Sequence, residues 1–446
     1  MWSVMVNLSW PAVVAMVLYG LNTVFDAIFV GRFVGETALA GVSLAYPLSQ
    51  LSLGFGSLIG VGAGSALSIA LGANDHKTQK KLIGNVNYLN VVFGVGLTMV
   101  GLIFTKPLVQ MMGGSGEALL YGVDYFRVTL FGSIFWIAGL SGNMVVRSEG
   151  KMGTAAVMMA IGLVVNIIAN YILIVVLGFG VKGAAWGTNL GMLIYTVVFF
   201  IYASGKRISF DAKPFVLSRD REIIRIIISN GIPSLIMTFM TLMQGIVVLN
   251  ALSRFGTTSD IAFYGIAYRI FLFMLTPIFG LMRALQPAVG INFGAEKYGR
   301  VISYFKIFGV AATILMMPLW SVMMINPQFV LHLMLPARDF VASDLANFRF
   351  LMALLPILPV IFMAMTFFPA INNPKPVSIM GIARQLVFYV PVMLTLPRFF
   401  GISWIYKGSF CIDLVVIIWV LFMVTGEFKR LRRGDVKRLE AEKCAV

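Results

Sequence analysis

Residues 222 positions apart match along this chain, and in so apolar a sequence that repeat restricts the fold more than any local motif. Pro11 aligns with Pro233, Arg32-Phe33 with Arg254-Phe255, Ala45-Tyr46 with Ala267-Tyr268, and Gly72-Ala73 with Gly294-Ala295, all without a gap. The offset is close to half of the 446 residues, so two related halves are expected to face each other. Hydrophobic residues make up 59% and charged residues 12%, whereas soluble domains are about one quarter charged. A soluble enzyme or binding module is thereby excluded. Weak internal symmetry in a polytopic membrane chain is the arrangement by which transporters build a pathway between repeats.

Apolar runs long enough to cross about 30 Å of hydrocarbon occur at 8–31, 42–71, 82–104, 120–145, 154–177 and 183–204, and again at 224–253, 261–291, 301–325, 344–371, 377–397 and 402–426. The expected fold is an all-α polytopic membrane protein of twelve transmembrane helices in two pseudo-symmetric six-helix bundles. Several runs exceed the minimum for spanning, so tilt or bends are expected. Lys and Arg are retained on the cytoplasmic side. The connections after even-numbered spans, with the tail and with Arg225 at the very start of the seventh span, hold 21 of them, and those after odd-numbered spans hold six. Both termini are therefore expected in the cytoplasm. The net charge of +16 reads as an orientation signal, with no nucleic-acid partner, although the basic tail also suits anionic lipid headgroups.

The long hydrophilic connection at 206–222 divides an N-terminal lobe, 1–205, from a C-terminal lobe, 223–446. Its length suits two bundles that rock against each other. Cys411 and Cys444 lie in different environments and are not expected to pair, and nothing resembles a metal-ligand spacing. The first apolar run has neither a charged leader nor a small-residue cleavage site, and reads as a retained span. Without a Walker A loop, nucleophile elbow or HExxH, and with His76 and His332 in connections, no ATP hydrolysis or hydrolase chemistry is indicated. A non-enzymatic protein driven by an ion gradient is expected, with no cofactor.

Among the 18 acidic residues only Asp26 and Asp413 fall well inside spans. A carboxylate in hydrocarbon costs about 3 kcal/mol even on lenient scales, so it usually faces a cavity or a partner. Asn22 lies one turn before Asp26, and Asn166 and Asn170 form a second i, i+4 pair on the fifth span. These residues make a candidate proton or Na⁺ pocket, although such asparagines equally serve as interhelical glue. Asp413 suits an ion pair with Lys407 or Arg384. Arg269, Arg283 and Arg349 fit either helix ends or a central cavity. Gly56, Gly60, Gly64, Ser68 and Gly72 form a small face for close helix packing. Pro11 is a candidate hinge, since it bends the helix that carries Asp26, and a static kink is its plainer reading. The methionines and phenylalanines suit an adaptable apolar cavity, for which Gln244, Arg269, Met240 and Phe271 are candidate lining residues.

The segments Pro11…Phe25-Asp26-Ala27-Ile28-Phe29-Val30-Gly31…Ala38-Leu39-Ala40-Gly41-Val42-Ser43, Ala70-Leu71-Gly72-Ala73, Arg147-Ser148-Glu149-Gly150, Asn166-Ile167-Ile168-Ala169-Asn170 and Asn373-Pro374-Lys375-Pro376…Ala383-Arg384-Gln385 resemble, in order, the multidrug and toxic compound extrusion (MATE) family. The resemblance spans essentially the whole chain and lies closer to the DinF- and MepA-like branch than to the NorM-like one. It implies two bundles around a V-shaped cavity in the bacterial inner membrane, a monomer, and export of lipophilic, often cationic compounds in exchange for H⁺ or Na⁺. It also implies ion coupling at Asp26, with a pocket of Asn22, Asn166, Asn170, Thr188 and Tyr125, and Na⁺ binding at Asp26, Asn166 and Asn170. Asn170 departs from the aspartate common in relatives, which puts the ion stoichiometry in question. The alternative is a lipid or lipid-linked-oligosaccharide flippase of the same superfamily, which would carry a more cationic cavity.

Overall fold

In hydrocarbon every backbone N–H and C=O must be satisfied within the segment, so each apolar run folds as a helix. The computed structural model describes residues 1–205, 208–210, 213–332 and 340–444, with side chains omitted at 21–24, 27, 36, 258, 259, 261, 262 and 435–444. The first half contains α1 (Trp2–Phe33), α2 (Glu36–Gly72), α3 (His76–Met111), α4 (Gly116–Phe131), α5 (Ser133–Ser148), α6 (Met152–Asn170) with a π-helical continuation at Tyr171–Val176, and α7 (Gly180–Ser204). The second half contains α8 (Arg221–Phe255), α9 (Thr258–Gly294), α10 (Tyr298–Ile325), the short α11 (Pro327–His332), α12 (Ala342–Met352), α13 (Pro359–Ala370), α14 (Lys375–Ile382) with a π-helical run at Ala383–Tyr389, α15 (Val390–Phe400) and α16 (Ser403–Cys444).

These elements fit the twelve-helix arrangement expected. Among the described residues ten helices, and the bent pair α4 and α5, are long and apolar enough to cross a membrane, and the shorter apolar α13 with α12 occupies the remaining place. The fourth span is α4 and α5, which meet at an angle of 56°. Gly132 sits at the bend, where a Cβ would overlap the Asn189 side chain. Asn189 donates from Nδ2 to the Val128 carbonyl at 2.6 Å and accepts from Trp136 Nε1 at 3.3 Å, so it satisfies groups on both sides of the break. The tenth span is α12 and α13, joined by turns at 353–358. Its freed Pro356 carbonyl accepts from Thr313 Oγ1 at 2.9 Å.

The two halves pack differently inside. The second has one continuous apolar core running from Val248 to Leu431. The first has two. One lies near the end that carries the chain terminus, around Leu58, Leu82, Val145, Met158 and Phe199. The other lies near the opposite end, around Val30, Ala45, Phe126, Ile174 and Ala185. Buried Ser49, Ser52, Asn90, Ser133, Asn166, Asn170, Thr188 and Asn189 occupy the intervening stretches of the same helices.

The halves meet through reciprocal close crossings. A Cβ on Gly72 would strike the Ile291 carbonyl, and one on Gly294 would strike the Ile69 carbonyl. These two contacts are related by the 222-residue offset. Gly62 likewise accommodates the Ile227 carbonyl and Gly231 that of Leu58, while Gly280 meets Val13. Ser65 donates to the Pro369 carbonyl, and Gln286 Nε2 to that of Val61. All these contacts fall in the parts of α1, α2, α8, α9 and α13 nearer the end with the chain terminus and the 206–222 connection. The described part of that connection is strapped to the first half. Asn87 Nδ2 donates to the Pro214 carbonyl at 2.6 Å, the Asp220 amide donates to Asn85 Oδ1 at 2.7 Å, and Phe215 stacks on Phe200. Lys81 pairs with Asp220 at 3.0 Å, and the hydrogen bond from its ammonium holds the Asp220 carboxyl below the usual carboxylate range.

Candidate functional site

Three helices bring the polar side chains of the first half together. Asp26 lies in the last third of α1, Asn166 and Asn170 on one face of α6, and Thr188 on α7. The close fit of α6 to α7 comes from glycine. A Cβ at Gly187 would overlap Asn170 Oδ1, and one at Gly191 would sit 2.8 Å from Asn166 Cβ. Gly183, Gly187 and Gly191 recur every four residues, the small-residue spacing that lets transmembrane helices touch. Sequence reading noticed that spacing in α2 and missed it here.

Asp26 is partly buried, whereas Asn166, Asn170 and Thr188 are almost completely so. Asn170 donates from Nδ2 to Asp26 Oδ1 at 2.6 Å, and Thr188 Oγ1 donates to Asp26 Oδ2 at 3.4 Å. Asn166 donates to Thr188 Oγ1 at 3.3 Å, and its Oδ1 lies 3.5 Å from Asn170 Nδ2. Tyr125 is buried beside Thr129 and Thr188, within electrostatic reach of Asp26. The named partners of the Asp26 carboxylate are thus neutral. The side chain of Asn22 lies outside the described residues. Pro11 is buried within α1.

A cavity of about 40 Å³ opens beside this cluster, lined by Tyr19, Leu140, Gly162, Asn166, Thr188 and Tyr195 among others. The Asn170 Oδ1 atom is buried and accepts no hydrogen bond among the described residues. With Asp26 and Asn166 it offers the oxygen donors that a hard monovalent cation takes. Among the described residues no group of three His, Cys, Asp or Glu could hold a metal ion.

The second-half candidates are more scattered. Gln244 Nε2 donates to the Tyr389 hydroxyl at 3.2 Å. Met240 and Phe271 are half-buried, with Phe271 stacked on Tyr268, and Arg269 is exposed. Asp413 pairs with Arg384 rather than Lys407; Nε and Nη2 reach Asp413 Oδ1 at 3.0 and 2.7 Å. Lys407 instead lies over the Phe350 ring. Arg349 is spent on the Met324 carbonyl at 3.1 Å.

The MatE family profile matches residues 11–172 and again 233–395, so its two matches start at the chain's own repeat offset. The chain is similar to the multidrug export protein MepA of Staphylococcus haemolyticus, at 27% identity over 453 residues covering 98% of this chain and 96% of that one. It is also similar to the protein of the same name from Staphylococcus aureus, at 24% identity over 399 residues covering 90% of this chain and 88% of the other. A solved structure described as a MATE in the bent conformation has the same fold, with a TM-score of 0.90, 24% identity, and coverage of 97% of this chain and 96% of that one. Two matches in tandem, each on one six-helix half, establish that the chain belongs to the MatE family of membrane transporters.

Proposed function

We propose that this protein is a secondary active antiporter that exports lipophilic, mostly cationic compounds across the bacterial inner membrane in exchange for H⁺ or Na⁺, with Asp26 as the coupling group. The observation that carries this reading is the contact set of Asp26, whose carboxylate oxygens meet an amide N–H and a hydroxyl. A guanidinium partner would fix the negative charge. Neutral donors hydrogen-bond the carboxylate and still allow a proton or cation to neutralise it. When that happens, one oxygen ceases to accept as an anion and the hold of Asn170 on α1 weakens. Pro11 removes a ladder hydrogen bond lower on the same helix, which makes it the hinge at which α1 answers the change.

The excess of Lys and Arg in alternate connections supports cytoplasmic termini. On that orientation the reciprocal glycine crossings lie toward the cytoplasmic end, and the lobes would part toward the outside. Gln244, Met240, Phe271 and Arg269 of the C-terminal lobe would meet substrate there, and Na⁺, where it is the coupling ion, would be held by Asp26, Asn166 and Asn170.

The test is ethidium transport by purified protein in liposomes under separately imposed proton and sodium gradients, with native chain and Asp26→Asn. Gradient-driven transport by the native chain and none by a correctly folded variant is the expected result, and the gradient that drives it names the ion. Undiminished uphill transport by Asp26→Asn would remove the residue from the mechanism.

A further inference from the structure

Two arginines, one from each half, lie within electrostatic range of each other where the halves meet, with no acidic partner among the described residues. Arg147, at the end of α5, is 2% exposed, and among the described residues its Nη1 and Nη2 have no hydrogen-bond acceptor. Arg283, on α9, is partly buried, and its buried Nε and Nη1 atoms likewise meet no acceptor among the described residues. The buried Tyr195 hydroxyl on α7 is a third polar group with no hydrogen-bond partner among them. The two guanidinium groups lie within electrostatic range of each other and of Tyr195, and Arg283 also of Tyr19. Between the helices that carry them runs Gly64 of α2, where a Cβ would come 3.0 Å from Gln286 Nε2 and 3.3 Å from the Met144 carbonyl. Among the described residues neither arginine lies in a salt bridge.

Burying one unpaired charge is costly, and burying two of the same sign together adds their repulsion. Guanidinium groups stay protonated under any ordinary condition, so neutralisation by proton loss is closed to them. An anion would supply the missing acceptors and offset both charges at once. The donors present, two planar forks and a hydroxyl, match the flat or tetrahedral oxygens of a carboxylate or phosphate. Tyr19 and Tyr195 also line the apolar cavity that runs toward Asn166 and Thr188, so a ligand seated on the arginines would project its apolar body into it.

We propose that Arg147, Arg283 and Tyr195 form an oxyanion-binding site at the junction of the two lobes, which takes the carboxylate or phosphate group of an amphiphile. The ligand class goes beyond the cationic compounds of the proposed function, and only the route of access, from the end that opens when the lobes rock, rests on that reading. Because each lobe supplies one arginine, the bound anion ties the lobes together, and its release frees them to separate.

The experiment is a binding measurement that needs no transport. Purified full-length protein is titrated with dodecyl phosphate, with inorganic phosphate and with dodecyltrimethylammonium, and thermal unfolding and tyrosine fluorescence are followed. Native chain, Arg147→Gln, Arg283→Gln and Tyr195→Phe are compared, the first also in nanodiscs of phosphatidylglycerol or phosphatidylcholine. Dodecyl phosphate should raise the unfolding temperature of the native chain, and each arginine variant should bind it about ten- to a hundredfold more weakly. A comparable effect of inorganic phosphate would identify a free anion as sufficient, and stabilisation confined to phosphatidylglycerol discs would identify a lipid headgroup. Without ligand, Arg283→Gln should unfold at the same or a higher temperature, since it removes an unneutralised charge; a marked loss of stability would instead reveal a structural ion pair and overturn the proposal. Equal response to the phosphate and ammonium amphiphiles, or binding unchanged in the arginine variants, would overturn it as well. Failure of Asp26→Asn to impair transport leaves this result untouched, so the two readings fall separately.

Discussion

The lobes handle their intramembrane carboxylates in opposite ways. In the first, Asp26 is held by an amide and a hydroxyl, in a polar layer that divides the apolar core into two clusters. In the second, Asp413 receives two hydrogen bonds from one guanidinium, beside a core that runs without interruption. At the repeat position of Asp26 the second half carries Val248, completely buried in that core. A carboxylate with neutral donors is free to change charge state, whereas one clamped by arginine is not. A duplicated fold has thus kept a continuous apolar core in one half and interrupted the core of the other with a polar layer around its carboxylate.

The largest effects should separate the two carboxylates by kind. Asp26→Asn keeps the shape and most hydrogen bonds, so thermal stability should change by less than about 1 kcal/mol, while gradient-driven ethidium transport in liposomes falls to the leak rate. Asp413→Leu should do the reverse. It strands Arg384 and should cost about 3 kcal/mol in thermal unfolding. The double variant Arg384→Met/Asp413→Leu should recover all but about 1 kcal/mol of that, because an apolar pair of similar volume replaces a mostly buried ion pair. If Asp413→Leu proved as stable as the native chain and lost transport, the division of labour between lobes would be wrong.

Next come positions at which the lobes should behave alike. Gly72 and Gly294 face each other's helices through the same contact, with the Ile291 and Ile69 carbonyls in the space of a Cβ. Gly72→Val and Gly294→Val should each lower stability by about 2 kcal/mol, since backbone cannot move aside as a side chain can. Their effects on unfolding temperature should be equal within error. A large inequality would mean that the pseudo-twofold relation of the crossing does not extend to its energetics.

Much of this was legible in the sequence, for identifiable reasons. The twelve spans follow from hydrophobic length, and the offset of 222 aligned Gly72 with Gly294 without showing that each meets the other's helix. Asp26 announced itself because a carboxylate in a span has few structural excuses, and the i, i+4 spacing of Asn166 and Asn170 put both amides on one face. Other features depend on packing that no local pattern encodes. The bend at Gly132 is set by Asn189, 57 positions later in the chain. Arg147 reads as an ordinary cytoplasmic charge at the end of a span, and only the assembled helices show it 2% exposed and within electrostatic range of Arg283 of the other half. The linker reads as a tether, yet its contacts with Asn85 and Asn87 fasten it to one lobe.

The smallest expected difference lies in the tight turns that enter α3 and α10. The turns share a backbone, with Asn74 at φ 55° and Glu296 at φ 57°, and differ at the next residue, which is Asp75 in the first half and Lys297 in the second. Asp75 accepts from the Thr78 amide at 3.1 Å and from the Thr78 hydroxyl at 2.6 Å, whereas Lys297 makes no side-chain cap bond. The hydroxyl and amide of Thr78 hold the Asp75 carboxyl below its usual range. Since its folded pKa is depressed, the cap contributes fully above the ordinary carboxylate value of about 4, and its contribution is lost as pH falls through the lowered folded value. Asp75→Ala should therefore destabilise by about 0.5–1 kcal/mol at neutral pH, a difference that shrinks as the unfolding experiment is moved to acid. Lys297→Ala should change stability by less than about 0.5 kcal/mol at either pH. A pH-independent deficit in Asp75→Ala would show that the aspartate acts through helix propensity or turn geometry instead of its charge, and would leave the two turns energetically alike.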